Sequence, residues 1–159
     1  MEFLWEKLLD GKLDWVCSDH ACCKHELKVD TDNPTDIWLA KSGFGGTEYL
    51  LSALVSEGKK RGLSYNRMAE LTSFNPARRF GLNRKGDIAE GLDADIALVD
   101  PGETWIVRSG ESESQQGYTP FEGLELGARV KTTFLRARRI FDNGEVIGEP
   151  TGKFLRRPY

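Results

Sequence analysis

The stretch from residue 3 to residue 20 constrains the fold more than any other part of the chain. Phe3, Leu4, Trp5, Leu8 and Leu9 fall on one helical stripe, and Gly11 supplies a stop just after it. Leu13-Asp14-Trp15-Val16-Cys17 follows as a short apolar run that ends in the polar residues Ser18, Asp19 and His20. Helix, tight turn, buried strand and then polar side chains at the strand's carboxyl end is the order of an α/β barrel. That architecture places its chemistry at the carboxyl ends of the strands. Asp19 is therefore singled out by position, against the plain alternative that it caps a turn.

Further along, residues 24 to 35 are polar, contain Asn33-Pro34, and read as a long loop. Ser42-Gly43-Phe44-Gly45-Gly46 gives a glycine-rich turn into a helix from about Thr47 to Lys60, with Leu50, Leu51, Leu54 and Val55 on one face. Gly62 ends that helix. Ser64 caps another, from about Tyr65 to Ser73, and Asn75-Pro76-Ala77 starts a third that Gly81 closes. The character changes at Gly86. Short β-type runs follow at Ala94 to Val99, Thr104 to Arg108 and Val130 to Phe141. Asn143-Gly144, between Arg139-Ile140-Phe141 and Glu145-Val146-Ile147, is a hairpin signal. The expected division is an α/β part over residues 1–85 and a β-rich part over 86–159.

Composition narrows the function. With 159 residues, 39% hydrophobic and 30% charged, the chain sits among globular domains and not among disordered chains. A net charge of -3 gives no reason for a polyanionic partner, and the late arginines (Arg136, Arg138, Arg139, Arg156, Arg157) lack interleaved aromatics or a nucleic-acid motif. No nucleic acid is expected as a partner. No apolar run approaches the ~20 residues of a membrane span, so no membrane partner is expected either. Residues 1–9 mix acidic, basic and apolar side chains, unlike a signal or transit peptide. Cys17, Cys22 and Cys23 are odd in number and two are adjacent, a poor disulfide framework. Reduced thiols in the cytoplasm are the simpler expectation.

A family resemblance rests on segments in unbroken order. Cys17-Ser18-Asp19-His20-Ala21 resembles the Ser/Thr-Asp-His-Ala segment at the end of the last barrel strand in cyclic amidohydrolases of the allantoinase, hydantoinase and dihydroorotase kind. Asn75-Pro76-Ala77 with Phe80-Gly81-Leu82 resembles the segment that closes their barrel. Residues 85 to 96, Lys-Gly-Asp-Ile-Ala-Glu-Gly-Leu-Asp-Ala-Asp-Ile, look like their return into a β-sandwich. Tyr118-Thr119-Pro120-Phe121-Glu122-Gly123 and Thr132 to Arg136 are similar to their tail. Gly-x-Asp-Ala-Asp alone is widespread; the ordered set is more specific. Gly45-Gly46 and residues 126 to 133 look closest to allantoinase. The implied fold is the end of a (β/α)8 amidohydrolase barrel followed by the C-terminal part of a β-sandwich.

The resemblance also implies a chemistry, hydrolysis of a cyclic amide or ureide, a non-peptide carbon–nitrogen bond. Family members use one or two divalent ions, zinc above all, held by early-strand histidines, often a carbamylated lysine, and a last-strand aspartate. That aspartate corresponds to Asp19, as metal ligand and proton carrier between water and leaving nitrogen. His20 is expected to orient Asp19 from behind, or else to satisfy its own loop. Gly45 and Gly46 are expected at the substrate, bringing backbone close where a side chain would intrude; a plain helix-start turn is the alternative. Where dihydroorotases commonly carry proline and histidine after Asp-His-Ala, this chain has Cys22 and Cys23, which argues against dihydroorotase.

The second departure is larger. The family's first-strand His-x-His and bridging lysine are not in this sequence, whose only histidines are His20 and His25. Three or more protein ligands are usual for catalytic zinc. The chain is thus expected to be part of a longer enzyme or a truncated reading frame, inactive alone, with self-association covering its open edges. The rival from another class is a non-catalytic relative that acts as an assembly partner. Two local alternatives are a zinc site of His20, Cys22, Cys23 and His25, whose adjacent thiols suit a tetrahedron poorly, and a cysteine nucleophile at Cys22 or Cys23 without a known signature.

Overall fold

A computed structural model of the chain describes residues 2–157. The first helix, α1 (Glu2–Leu9), carries Glu2 in its first turn and Lys7 in its last, the charge order that complements a helix dipole. Gly11, at φ 72, closes it, with the Lys12 amide donating to the Lys7 carbonyl at 2.8 Å. Thr47–Tyr49 make a 3-10 turn that runs into α2 (Leu50–Lys60). Ser64 caps α3 (Tyr65–Ala69) by accepting the Arg67 amide at 3.2 Å. The backbone then continues through a π turn (Glu70–Phe74) into α4 (Asn75–Arg79). The two helices expected at 65–73 and from Asn75 therefore form one helical run. Pro76 falls in the first turn of α4, where its missing N–H costs nothing.

The expected strand at Leu13–Cys17 is not one. The segment is extended but belongs to no ladder, because no neighbouring strand lies beside it among the described residues. The helical run takes up its backbone groups instead. Val16 N–H donates to the Leu71 carbonyl at 3.1 Å, Arg67 Nη2 donates to Leu13 O at 2.9 Å, and Asn75 Nδ2 donates to Asp14 O at 2.8 Å. At its far end His20 forms an isolated parallel bridge with Phe44, and the Ala21 amide donates to Phe44 O at 2.9 Å.

The described strands all follow residue 85: β1 (Ile96–Asp100), β2 (Trp105–Ile106), β3 (Glu125–Leu126), β4 (Arg129–Leu135), β5 (Arg138–Asp142) and β6 (Glu145–Val146). They make an antiparallel sheet in the order β1-β4-β5-β6 and a small β2-β3 sheet. The run expected at Val130 to Phe141 is two strands, β4 and β5, that turn back at Arg136-Ala137. The hairpin expected at Asn143-Gly144 joins β5 to β6. β3 had no counterpart in the sequence reading.

One apolar core joins the helices to the sheet. Leu8, Leu54, Val55, Leu63, Met68, Leu71 and Ala128 are buried together, with Trp5, Val16 and Val99 packed against them. Leu71 is fully buried, and its removal to alanine would cost about 2–5 kcal/mol. A second cluster of Tyr49, Val107 and Leu126 sits beneath the 3-10 turn that precedes α2. Among the described residues no helix is long and apolar enough to cross a membrane.

Candidate functional site

The extended segment delivers Ser18, Asp19 and His20 to the foot of the glycine-rich turn. Asp19 is exposed and has φ 46, the left-handed region that few non-glycine residues enter and that aspartate tolerates better than most. Such a conformation persists where its surroundings impose it. Here the residues on both sides are tied down. The Ser18 hydroxyl lies 3.1 Å from Thr47 Oγ1 and accepts the His20 amide at 3.3 Å.

His20 faces the glycine turn and not Asp19. Its Nδ1 accepts the amides of Gly46 at 3.1 Å and Thr47 at 3.3 Å. That arrangement needs a lone pair on Nδ1, so the neutral ring carries its proton on Nε2. Gly45 is buried, and its amide donates to Gln116 Oε1 at 2.8 Å. A Cβ on Gly45 would lie 2.6 Å from the Gln116 carboxamide, so any other residue here would displace Gln116 from this position. The amides of Gly45 and Gly46 are thus both engaged inside the protein. The carbonyls of Gly43, Phe44 and Gly46 accept from Lys28 Nζ, the Ala21 amide and the Tyr49 amide, and Ala21 and Gln116 fill the space beside Gly43 and Gly45.

Around the turn, Lys28 Nζ donates to the carbonyls of Lys41 (3.0 Å) and Gly43 and lies 4.4 Å from the Phe44 ring centroid. Tyr118 packs edge-on against His25 and Phe44, with centroids 5.5 and 6.5 Å away. Cys22 Sγ lies 3.4 Å from Ser114 Oγ. The sequence reading found neither Gln116 nor the serines near it. The one signal available was their spacing at alternate positions, in a stretch with no other pattern.

Among the described residues no three side chains of His, Cys, Asp or Glu come together as a metal cage. Asp19 offers one hard oxygen donor, and the local His20, Cys22, Cys23 and His25 group does not assemble. By themselves these residues do not fit a catalytic ion, which needs about three protein ligands. One cleft lies apart from the site and another meets it at Ser18 and Gly46. A space of ≈ 780 Å³ opens between α3 and β1, and an apolar groove of ≈ 500 Å³ runs between α1, residues 13–18 and α2.

Comparison with known proteins decides the family. A family model described as "Amidohydrolase family" matches residues 3–147. The chain belongs to the amidohydrolase family. Among curated relatives of this amidohydrolase chain, the allantoinase of Rubrobacter xylanophilus is 41% identical over 157 residues, covering 98% of the chain and 34% of the relative. The dihydroorotase of Halobacterium salinarum is 38% identical over 156 residues, covering 98% and 35%. A solved D-hydantoinase superposes with a TM-score of 0.88 at 35% identity, over 98% of this chain and 34% of its own. The D-hydantoinase from Thermus sp. gives 0.86 at 29% identity, covering 93% and 32%. The amidohydrolase chain thus spans about a third of the length of the relatives it matches. Its fold is the end of a (β/α)8 barrel followed by the C-terminal part of a β-sandwich.

Proposed function

We propose that this chain supplies one part of the active site of a cyclic amidohydrolase that opens an allantoin-, hydantoin- or similar ureide-type ring, a non-peptide carbon–nitrogen bond. The observation that carries the reading is Asp19, held exposed at φ 46 where the extended segment ends, beside a glycine turn that His20 grips. Allantoinases of Rubrobacter xylanophilus and Deinococcus radiodurans among the relatives support the substrate class. Cys22 and Cys23, in place of the expected proline and histidine, weigh against dihydroorotase.

In a full-length enzyme a divalent ion, zinc in this reading, would supply a water acidic enough to ionise near neutral pH. Asp19 takes a proton from the attacking water and delivers it to the ring nitrogen that leaves. Asp19 would also be one ligand of that ion, with the others supplied from outside the described residues. Gly45 and Gly46 form a side-chain-free wall against the substrate ring. His20 sets the position of that wall and, through its neighbour, the direction of Asp19. The same reading divides the molecule near Lys85 and puts the enzyme in the cytoplasm.

Asp19→Asn in a full-length enzyme that carries this chain is expected to lower ureide turnover by about 10³-fold or more with the fold intact, since the amide is a poor proton acceptor. Turnover within tenfold of the parent, with an unchanged melting temperature, would remove Asp19 from the chemistry. The alternative is a non-catalytic relative that acts as an assembly partner. It predicts that this chain, supplied with zinc, binds a second polypeptide but never hydrolyses the ring; turnover by the chain alone would exclude it.

A further inference from the structure

Four alternate residues of one loop touch the candidate site. Ser112 Oγ donates to Glu48 Oε2 at 2.5 Å, and Ser114 Oγ lies 3.4 Å from Cys22 Sγ. Gln116 Oε1 accepts the Gly45 amide at 2.8 Å, and Tyr118 stacks edge-on against His25 and Phe44. Cys22 and His25 sit just past the end of the extended segment, Phe44 and Gly45 lie in the glycine turn, and Glu48 lies in the 3-10 turn that follows it. The loop itself is distant in sequence, 71 residues beyond Gly45 in the case of Gln116.

Gln116 is the most constrained of the four. It is only 4% exposed, and a buried carboxamide oxygen without a donor would cost about 1–3 kcal/mol. The donor it finds is a backbone amide with no alternative partner inside a helix or ladder. With His20 holding the next two amides, three successive N–H groups at 45, 46 and 47 are held by side chains from two separate segments. Glycine backbone is the softest in conformational terms. Held at both ends it becomes a defined surface.

We propose that Gln116 is a positioning residue, which fixes the Gly45 peptide from the 112–118 strap and so shapes the wall against which the ring-bearing substrate lies. The inference rests on the proposed function for its substrate but not for its geometry. It ties the loop that precedes β3 to the glycine turn, so that motion in one is felt in the other. A small misplacement of such a wall is enough to change substrate affinity markedly.

Two measurements test it. In the chain itself, NMR should show a through-hydrogen-bond coupling between Gly45 N and Gln116 Cδ; its absence overturns the proposal without recourse to any variant. Gln116→Met has similar volume and no acceptor, and should speed exchange of the Gly45 amide by about tenfold or more relative to the Leu54 amide. Gln116→Glu, which keeps the acceptor, should preserve the slow exchange. In a full-length enzyme carrying the chain, Gln116→Met should raise KM for the cyclic ureide about tenfold with kcat within threefold, and Gln116→Glu should restore KM. An unchanged KM in the methionine variant, or no rescue by glutamate, refutes the positioning role. Failure of Asp19→Asn to lower turnover would sink the chemical reading while the Gly45–Gln116 bond stood, so the two are separable.

Discussion

Lys85 shows how single residues tie the end of the helical run to the segment that leads into β1. Its ammonium pairs with Asp95 and, at 2.9 Å, with Asp93, while Arg84 Nη2 reaches Asp93 at 2.8 Å. Asp95 in turn accepts the Arg136 amide at 2.7 Å, so the cluster also holds the β4–β5 turn. The hydrogen bond to Asp95 holds Lys85 above the usual lysine range, with burial opposing it and Asp93 adding to it. Hydrogen bonds from Lys85 and then Arg84 hold the Asp93 carboxyl below the usual aspartate range. The signs differ. A raised lysine stabilises fully below its unfolded value of about 10.4 and loses that contribution as pH rises through the folded value. A depressed aspartate stabilises above its unfolded value of about 3.9 and loses that as pH falls through the folded one. The melting temperature should therefore be flat between about pH 5 and pH 9 as far as this cluster is concerned, and fall on either side. Asp93→Asn should lower the plateau and flatten the acid side in a pH series of thermal melts, leaving the alkaline side, which Asp95 maintains. An acid side as steep as in the parent would show that Asp93 gains nothing from its partners.

At the scale of elements, the β4–β5 hairpin is the instructive case. Arg136 and Ala137 have φ 48 and 65, both left-handed, the pattern of a two-residue type I′ turn. The sequence supplies neither the asparagine nor the glycine that such turns favour, and residues 130 to 141 therefore read as one strand. Tertiary contacts impose the turn instead. The Ala137 amide donates to Ala94 O at 2.9 Å, and Arg136 Nη2 donates to Thr151 O at 2.5 Å. Left-handed alanine costs about 1–2 kcal/mol, and glycine gives back about 0.4–1 kcal/mol in the unfolded chain. Ala137→Gly should then stabilise by roughly 0.5–1 kcal/mol and raise the melting temperature by about 2–3 °C. A fall on scanning calorimetry would mean that the turn is not strained. The next hairpin, with Asn143 and Gly144 in the favoured positions, was legible for the same reason that this one was not. Helices α1 and α2 were legible from apolar spacing and their closing glycines. The extended 13–18 segment was legible as a buried apolar run but not as an unpaired one, since a residue pattern reports burial and not which groups take the hydrogen bonds. At the site, Asp19 and His20 stood out as polar residues after an apolar run. Gln116 did not, because its importance lies in an amide 71 residues away.

At the scale of the whole molecule, several large apolar side chains lie in solvent. Ile37 is 78% exposed, Trp38 90%, Ile88 79% and Phe154 90%. The ≈ 500 Å³ groove is walled by Leu4, Trp5, Trp15, Val16 and Leu50 with few polar atoms among them. Its sheet also ends in open strands, β1 on one side and β6 on the other, with Val146 of β6 65% exposed. Open edges and apolar grooves of this kind are the surfaces through which chains associate. The chain is expected to self-associate at micromolar concentration, with light scattering giving at least twice the monomer mass. Leu4 identifies the surface. It is 58% exposed on α1 and lines the groove, so Leu4→Glu places a charge there at little cost to the helix, in which leucine and glutamate have similar propensity. If the groove is the contact, Leu4→Glu shifts the scattering mass to the monomer while Val146→Lys does not; the reverse assigns association to the β6 edge. A monodisperse monomer in the parent chain would mean that neither surface is sticky enough to outweigh the entropy of association, which runs to several kcal/mol.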